Sequence, residues 1–207
     1  MSEKTWDRGD WLQTYTGVEF HPLDPRPEDI RIEDISHALS KLCRYGGHCI
    51  RFYSVAEHCV HVASKAPDSL KLVALMHDAA EAYIVDVPRP VKHLLPQYKA
   101  IEERLEAAIA VRFGLVWPFP EEIKRLDNAI LADEREQNMG QPPRPWMARE
   151  SLGVMLRFWP PQQAAYEFIS LRSIDTVVDR DRIEILSASC HRRVARILGR
   201  WWREPVG

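Results

Sequence analysis

The stretch LVALMHDAAEAY, residues 72–83, is apolar on nearly every side of a helix, yet it sets His77, Asp78 and Glu81 among Leu72, Val73, Leu75, Met76, Ala79, Ala80 and Tyr83. A helix that is apolar all round belongs at the centre of a fold. An ionised carboxylate buried there without a partner is prohibitively costly, so Asp78 and Glu81 must be neutralised, paired or bound to a cation. Adjacent residues lie about 100° apart around a helix axis, and a residue three positions on returns to the same side. His77 and Asp78 can therefore reach one ion, with Glu81 as a base beside it. The competing interpretation is a buried His-Asp-Glu hydrogen-bond network without a metal.

The rest of the chain predicts the frame around this helix. Proline-rich turns at HPLDPRP (21–27), VPRP (87–90), WPFP (117–120), QPPRP (141–145) and WPP (159–161) separate segments of helical apolar spacing. Asp34 is placed as the cap of a helix running to about Arg44, where Gly46 and Gly47 stop it, and Ser54 as the cap of VAEHCVHVASKA before Pro67. A third helix is expected from about Asp68 to Tyr83, a fourth from about Gln97 to Phe113, and a fifth after Pro120 with Ile123, Leu126, Ile130 and Leu131 as its buried stripe. Segments near 161–171 and 180–202 are helical in pattern as well. The first 30 residues, with Trp6, Trp11, Tyr15 and Phe20, fit a small hairpin or an irregular strap. The sum is an all-α fold in a single domain over 1–207, with its core at about 33–135 and a C-terminal helical extension from about 145 to 207.

Composition narrows the partners. A net charge of -2 gives no global attraction to nucleic acid or anionic membrane, so phosphate recognition must be local. The N-terminal MSEKTWDRGDW lacks an apolar signal core, and no run approaches the length of a membrane span, which leads to the expectation of a soluble cytoplasmic protein with no membrane partner. Cys43, Cys49, Cys59 and Cys190 show no CxxC spacing and are read as reduced, packed thiols. The final segment carries Arg192, Arg193, Arg196, Arg200 and Arg203 beside Trp201 and Trp202; favourable placement at a helix C-terminus explains these cations more cheaply than nucleic-acid docking does. A homo-oligomer is compatible with everything above.

Two further polar residues stand on apolar helix faces. His58 in YSVAEHCVHVA lies one turn from Val55 and Val62, whereas His61 fits a plain hydrogen-bonded histidine. Asp127 is in register with Ile123 and Ile130. His58, His77, Asp78 and Asp127 together make a set of two imidazoles and two carboxylates, suited to Mn, Co, Zn, Fe or Ni rather than Ca, with Mg kept among the candidates. Glu134, two turns beyond Asp127, is expected in a salt bridge. Tyr53, Tyr83 and Trp117 could stack on a base, but aromatic residues at helical spacing are more often core.

The series H…HD…D, with YSVAEH before the doublet and HDAAEAYIVDVPRPVK around it, resembles the HD-domain metal-dependent phosphohydrolases over about residues 33–135. Within them it is similar to the branch of bacterial 5'-deoxynucleotidases and phage deoxynucleoside triphosphohydrolases. That resemblance implies an all-α helical bundle, His58, His77, Asp78 and Asp127 as metal ligands, Glu81 as the catalytic acid or base, and Asp86 as a pocket residue near sugar or phosphate. Asp78 then counts as both ligand and catalytic residue. The first 30 residues and the stretch after about 145 have no match among the family's functional positions.

A phosphate substrate needs cations. Arg44, at the end of its helix, is the first candidate, and Lys92 in PRPVK the second, with Arg89 behind it; His48 in GGHC is a candidate phosphate or leaving-group contact. The function the resemblance implies is hydrolysis of deoxyribonucleotides, as a 5'-nucleotidase acting on monophosphates. The alternatives are a dNTP triphosphohydrolase releasing tripolyphosphate, with dATP as one favoured substrate, and a non-catalytic nucleotide-binding regulatory protein.

Overall fold

Helical apolar spacing becomes helices almost wherever it occurs. The computed structural model describes residues 8–144 and 150–178, with residues 172–178 described by their backbone alone. Within them run α1 (Ile32–Lys41), α2 (Val55–Lys65), α3 (Lys71–Met76), α4 (Glu81–Ile84), α5 (Arg89–Lys92), α6 (Pro96–Phe113), α7 (Glu121–Asn138) and α8 (Pro161–Val178). The described chain is mostly helical, in keeping with the all-α expectation. The segment at 180–202 and its arginine face lie outside the described residues, as does Cys190.

Local chemistry explains most boundaries. Ser54 accepts a hydrogen bond from Glu57 N and so starts α2 as its sequence predicts. Proline opens α6, and Gly114, at φ 67, closes it in the left-handed conformation that a side chain would strain. α1 departs from expectation at both ends. Arg31, not Asp34, is its N-cap, and Asp34 lies in the first turn, accepting from Thr16 N at 2.7 Å and Thr16 Oγ1 at 2.9 Å. The helix stops at Leu42, before the glycines, because Cys43 turns extended to bridge Ser54.

The N-terminal segment is a small hairpin. β1 (Leu12–Gln13) pairs antiparallel with β2 (Glu19–Phe20), and Phe20 is fully buried with its ring stacked on Tyr83, centroids 4.1 Å apart. One buried cluster runs from this strap through α1, α2 and α3 to Ile130 on α7 and Phe168 on α8. α8 packs against α1, α2 and α3, so the last helix among the described residues closes the core over the helix that carries His58.

A second strap follows α7. Its fastening is Glu57, fully buried on α2, whose carboxylate accepts from Arg157 N at 2.7 Å, Phe158 N at 2.8 Å and Trp159 N at 2.7 Å. Asp133 and Gln137 on α7 hold the same strand of chain upstream, through Leu152 N at 2.8 Å and Leu156 N at 3.0 Å. His61 closes the arrangement, at 3.3 Å from Glu57 and stacked on Trp159, as a hydrogen-bonded core histidine should be. Among the described residues, no helix is long and apolar enough to cross a membrane.

Candidate metal centre and phosphate site

The expected third helix is two helices. After α3 ends at Met76, the chain tightens: Ala79 N bonds Met76 O at 3.0 Å and Glu81 N bonds Asp78 O at 3.0 Å before α4 resumes at Glu81. These three-residue closures are the narrow helical turn, which changes where side chains point relative to a continuous α-helix. His77 takes advantage of the break, its Nδ1 lying 2.7 Å from the carbonyl oxygen of Ala74.

Three elements bring the four candidate ligands together: α2 supplies His58, the tight turn supplies His77 and Asp78, and α7 supplies Asp127. His58 Nε2 and His77 Nε2 are 3.3 Å apart. Asp127 Oδ1 lies 3.2 Å from His58 Nε2 and 3.8 Å from His77 Nε2, while Asp78 Oδ2 lies 3.5 Å and 3.3 Å from the same two nitrogens. Four ligands at 2.0–2.1 Å around a tetrahedral ion stand about 3.3 Å from one another. The five separations run from 3.2 to 3.8 Å, close to that spacing; His58, His77 and Asp127 form one convergent group, and Asp78 converges with His77 and Cys59.

Proton positions follow from the partners on the far side of each ring. A backbone carbonyl can only accept, so His77 Nδ1 is the protonated nitrogen that donates to Ala74 O. His58 Nδ1 donates likewise to Glu134 Oε1 at 2.7 Å. Glu134 is fully buried; burial opposes its ionisation, but Arg44 and His58 outweigh it and bring its pKa down to about 2. Both Nε2 lone pairs in the neutral rings therefore face each other and two carboxylates. Without a cation this is repulsive, and a proton is the minimal remedy: burial lowers the pKa of His77, yet Asp78 and its other neighbours drive it well above the ordinary histidine value. Asp127 is correspondingly held well below the ordinary carboxylate range, since burial is overcome by hydrogen bonds to His58 and His77. A divalent ion fits the same donor set.

Arg44 reaches this cluster from the loop after α1. Its Nη1 is 3.5 Å from Asp78 and its Nη2 3.3 Å from Glu134, and its buried Nε makes no hydrogen bond. Tyr45, at φ 58, also donates its hydroxyl to Glu134. Glu134 thus makes the expected salt bridge and also ties a candidate ligand histidine to a phosphate-binding candidate. Glu81 is half-buried; burial first, then the carboxylates of Asp78 and Asp86, push its pKa up to about 9 in the metal-free site.

The other candidates are arranged differently. Asp86 and Lys92 do meet, at 3.0 Å, but Lys92 also binds Glu102 at 2.7 Å, so its charge is already matched by two carboxylates. The loop they stabilise contains Val85 at φ 57, a conformation that a β-branched residue rarely adopts, with Tyr98 donating to its carbonyl. His48 is exposed at the far end of the Arg44 loop, away from the four ligands' contacts described above. Tyr53 and Tyr83 are buried in the core, and Trp117 packs against it while donating to Glu106, so none of the three is free to stack on a base.

A cleft of about 750 Å³ opens beside Asp127, lined by Arg89, Glu121, Glu122, Lys124, Arg125 and Asn128. Asp127 is the most exposed of the four candidate ligands, with 28% of its side chain accessible against 0% for His58. Lys124 was not singled out in the sequence because a lysine on the exposed side of α7 carries no signal by itself. Cys59 was also missed: it forms a second convergent group with His77 and Asp78. Burial raises its thiol to about 11, which keeps it neutral in the absence of a cation.

No protein-family model matches the chain. It is 42% identical over 125 residues to the uncharacterized protein YfdR of Escherichia coli K12, covering 60% of this chain and 70% of that protein. It is 34% identical over 182 residues to the uncharacterized protein RCAP_rcc00048 of Rhodobacter capsulatus, covering 76% of this chain and 91% of that one.

Proposed function

The chain belongs to the family of YfdR and RCAP_rcc00048, and we propose that it is an HD-domain phosphohydrolase of deoxyribonucleotides, acting as a 5'-nucleotidase on deoxyribonucleoside monophosphates. The observation that carries this reading is the pair of fixed imidazole tautomers: His77 donates to Ala74 and His58 to Glu134, which leaves two Nε2 lone pairs facing Asp127, with Asp78 beside both rings.

His58, His77, Asp78 and Asp127 would hold the ion. A divalent cation bound there supplies a Lewis acid for a phosphoryl oxygen and makes water a stronger acid. Arg44, held between Asp78 and Glu134 with 13% of its side chain accessible, would offer a phosphate oxygen the guanidinium N–H groups those carboxylates leave unused. Glu81, one turn from Asp78, would give a proton to the 5'-oxygen of the leaving nucleoside as the phosphorus–oxygen bond breaks and water adds to phosphorus, and would regain it from the phosphoric acid formed. Asp86, steadied by Lys92, is available to a sugar hydroxyl at the mouth of the site.

The cleft beside Asp127 favours a second reading, triphosphate hydrolysis, because it offers room for a longer phosphate chain and sets Arg89 and Lys124 there, alongside Glu121 and the Glu122–Arg125 pair. The experiment is a panel of dNMPs, dNTPs and matching ribonucleotides incubated with metal-stripped protein resupplied with Mn, Co, Zn or Mg. Nucleoside plus phosphate from dNMPs supports the nucleotidase, nucleoside plus tripolyphosphate supports the second reading, and no turnover with any metal rejects both.

A further inference from the structure

We infer that Cys43 and Cys49 are a redox modification site, forming a reversible disulfide that displaces Arg44 from the candidate phosphate site. Their sulfurs are 3.5 Å apart and both side chains are half-buried, within reach of a small oxidant. Cys59, by contrast, is fully buried.

The thiols meet because the chain between them is clamped at both ends. On one side Cys43 is in an antiparallel bridge with Ser54, the residue that caps α2, and Arg44 N bonds Tyr53 O at 2.9 Å. On the other, Ile50 N bonds Asn138 O at 2.8 Å and Arg51 N bonds Asn138 Oδ1 at 2.8 Å, at the end of α7. Between the clamps, Tyr45, Gly46 and Gly47 all have positive φ, at 58, 59 and 83°, and this left-handed turn brings the chain back on itself. The pairing is thus a property of two packed helices, not of a loose loop.

The same loop carries Arg44 and Tyr45 to Glu134. Closing a disulfide brings the sulfurs to about 2.05 Å, with a fixed dihedral between them. It also removes the thiol proton that Cys49 donates to the Arg44 carbonyl, 3.8 Å away. Both changes act on the backbone from which the guanidinium hangs. With a hydroperoxide as oxidant, the thiolate of one cysteine attacks a peroxide oxygen, giving a sulfenic acid and releasing hydroxide or alkoxide that takes up a proton. The second thiol then attacks the sulfenic sulfur and expels water, so two thiols and one peroxide become one disulfide, one alcohol or water, and one further water. Burial, reinforced by the neighbouring Cys43, raises the Cys49 thiol, so the reaction is slow at neutral pH and quickens as pH rises.

The consequence for Arg44 rests on the phosphohydrolase reading; the bond itself does not. The full chain is treated with hydrogen peroxide, alkylated under denaturing conditions and digested with trypsin, which cuts after Lys41, Arg44 and Arg51. The expected product is residues 42–44 linked to residues 45–51, reversed by dithiothreitol, with an intact mass lower by about 2 Da. Oxidation should also change amide exchange over residues 44–48 and raise KM for a dNMP about fivefold or more, with Cys49→Ser immune to both effects. Recovery of the two cysteines unlinked, or linked elsewhere, overturns the site. A correct link with unchanged exchange and unchanged KM overturns the coupling to Arg44. If the reduced protein hydrolyses no nucleotide, the functional reading fails, while the linkage and exchange results still decide this one.

Discussion

His58 donates through Nδ1 to the fully buried carboxylate of Glu134 at 2.7 Å, and this one bond links the candidate metal centre to the candidate phosphate site. It fixes the tautomer whose Nε2 faces His77. The same carboxylate holds Arg44 and Tyr45, so one anion on α7 orients groups from two other parts of the chain. Outer carboxylates of this kind typically contribute 10- to 100-fold to metal affinity.

Glu134→Gln should therefore weaken metal binding about 10- to 100-fold, because the amide is neutral and its nitrogen can present a donor to a ring that must itself donate. Titration of metal-stripped protein with Zn or Co by calorimetry checks this without reference to turnover. Equal affinity in the two proteins would show that His58 keeps its tautomer without Glu134.

Glu106 provides a test in a different place. Burial, with Glu102 and Glu103 nearby, raises its carboxyl to about 7 despite the Trp117 indole N–H at 3.3 Å. The folded pKa is above the unfolded one, so folding favours the protonated form, and stability falls as pH rises from about 4.5 to about 7 while the unfolded carboxyl ionises first. Glu106→Gln keeps an acceptor for Trp117 and cannot ionise. It should match the wild-type protein near pH 4.5 and exceed it above pH 7, by at most about 3 kcal/mol, in urea unfolding followed across pH. A constant difference at all pH values would locate the effect in packing, not in ionisation.

What was legible in the sequence was what depends on near neighbours. Ser54 caps α2, Pro96 opens α6, and the apolar stripe of α7 sets Ile123 and Ile130 inward, with Asp127 between them near the other three candidate ligands. Contacts between distant segments were not legible. Asp34 looked like a cap because its partner Thr16 comes from the hairpin. Lys92 looked available because Glu102 is on another helix. The break at His77 was hidden because alanines and leucines suit a continuous helix, while the turn is tightened by the packing of a buried centre. Glu134 carried the sequence signal of an ordinary salt bridge and gave no sign that His58 and Tyr45 would share it.

Glu57 is the clearest such long-range contact, since its three backbone partners lie about a hundred residues away in sequence. Glu57→Gln replaces one accepting oxygen with an amide that faces an N–H instead of receiving it. Two charge-assisted bonds weaken and one buried donor is left unmet, a loss of about 2–4 kcal/mol in unfolding free energy. Limited proteolysis should then cut first in residues 150–160, the strap that Glu57 fastens to α2. If the variant unfolds with wild-type stability, the strap is held by Asp133, Gln137 and apolar packing alone.

Arg44 and Lys92 separate a binding cation from a structural one. Arg44 lies against Asp78 as well as Glu134, so Arg44→Gln should raise KM for a dNMP at least about tenfold, the loss of a charged hydrogen bond to substrate, and should also lower thermal stability by stranding the buried Glu134. Lys92 is enclosed by Asp86 and Glu102, and burial of its ammonium is more than offset by these two carboxylates. Lys92→Gln should change KM less than about threefold while lowering thermal stability, because it leaves two neighbouring carboxylates uncompensated. Steady-state kinetics and thermal melts on the two variants check the contrast. The reverse pattern, with Lys92 governing KM and Arg44 only stability, would move the phosphate site from the Glu134 side of the metal centre to the Asp86 loop.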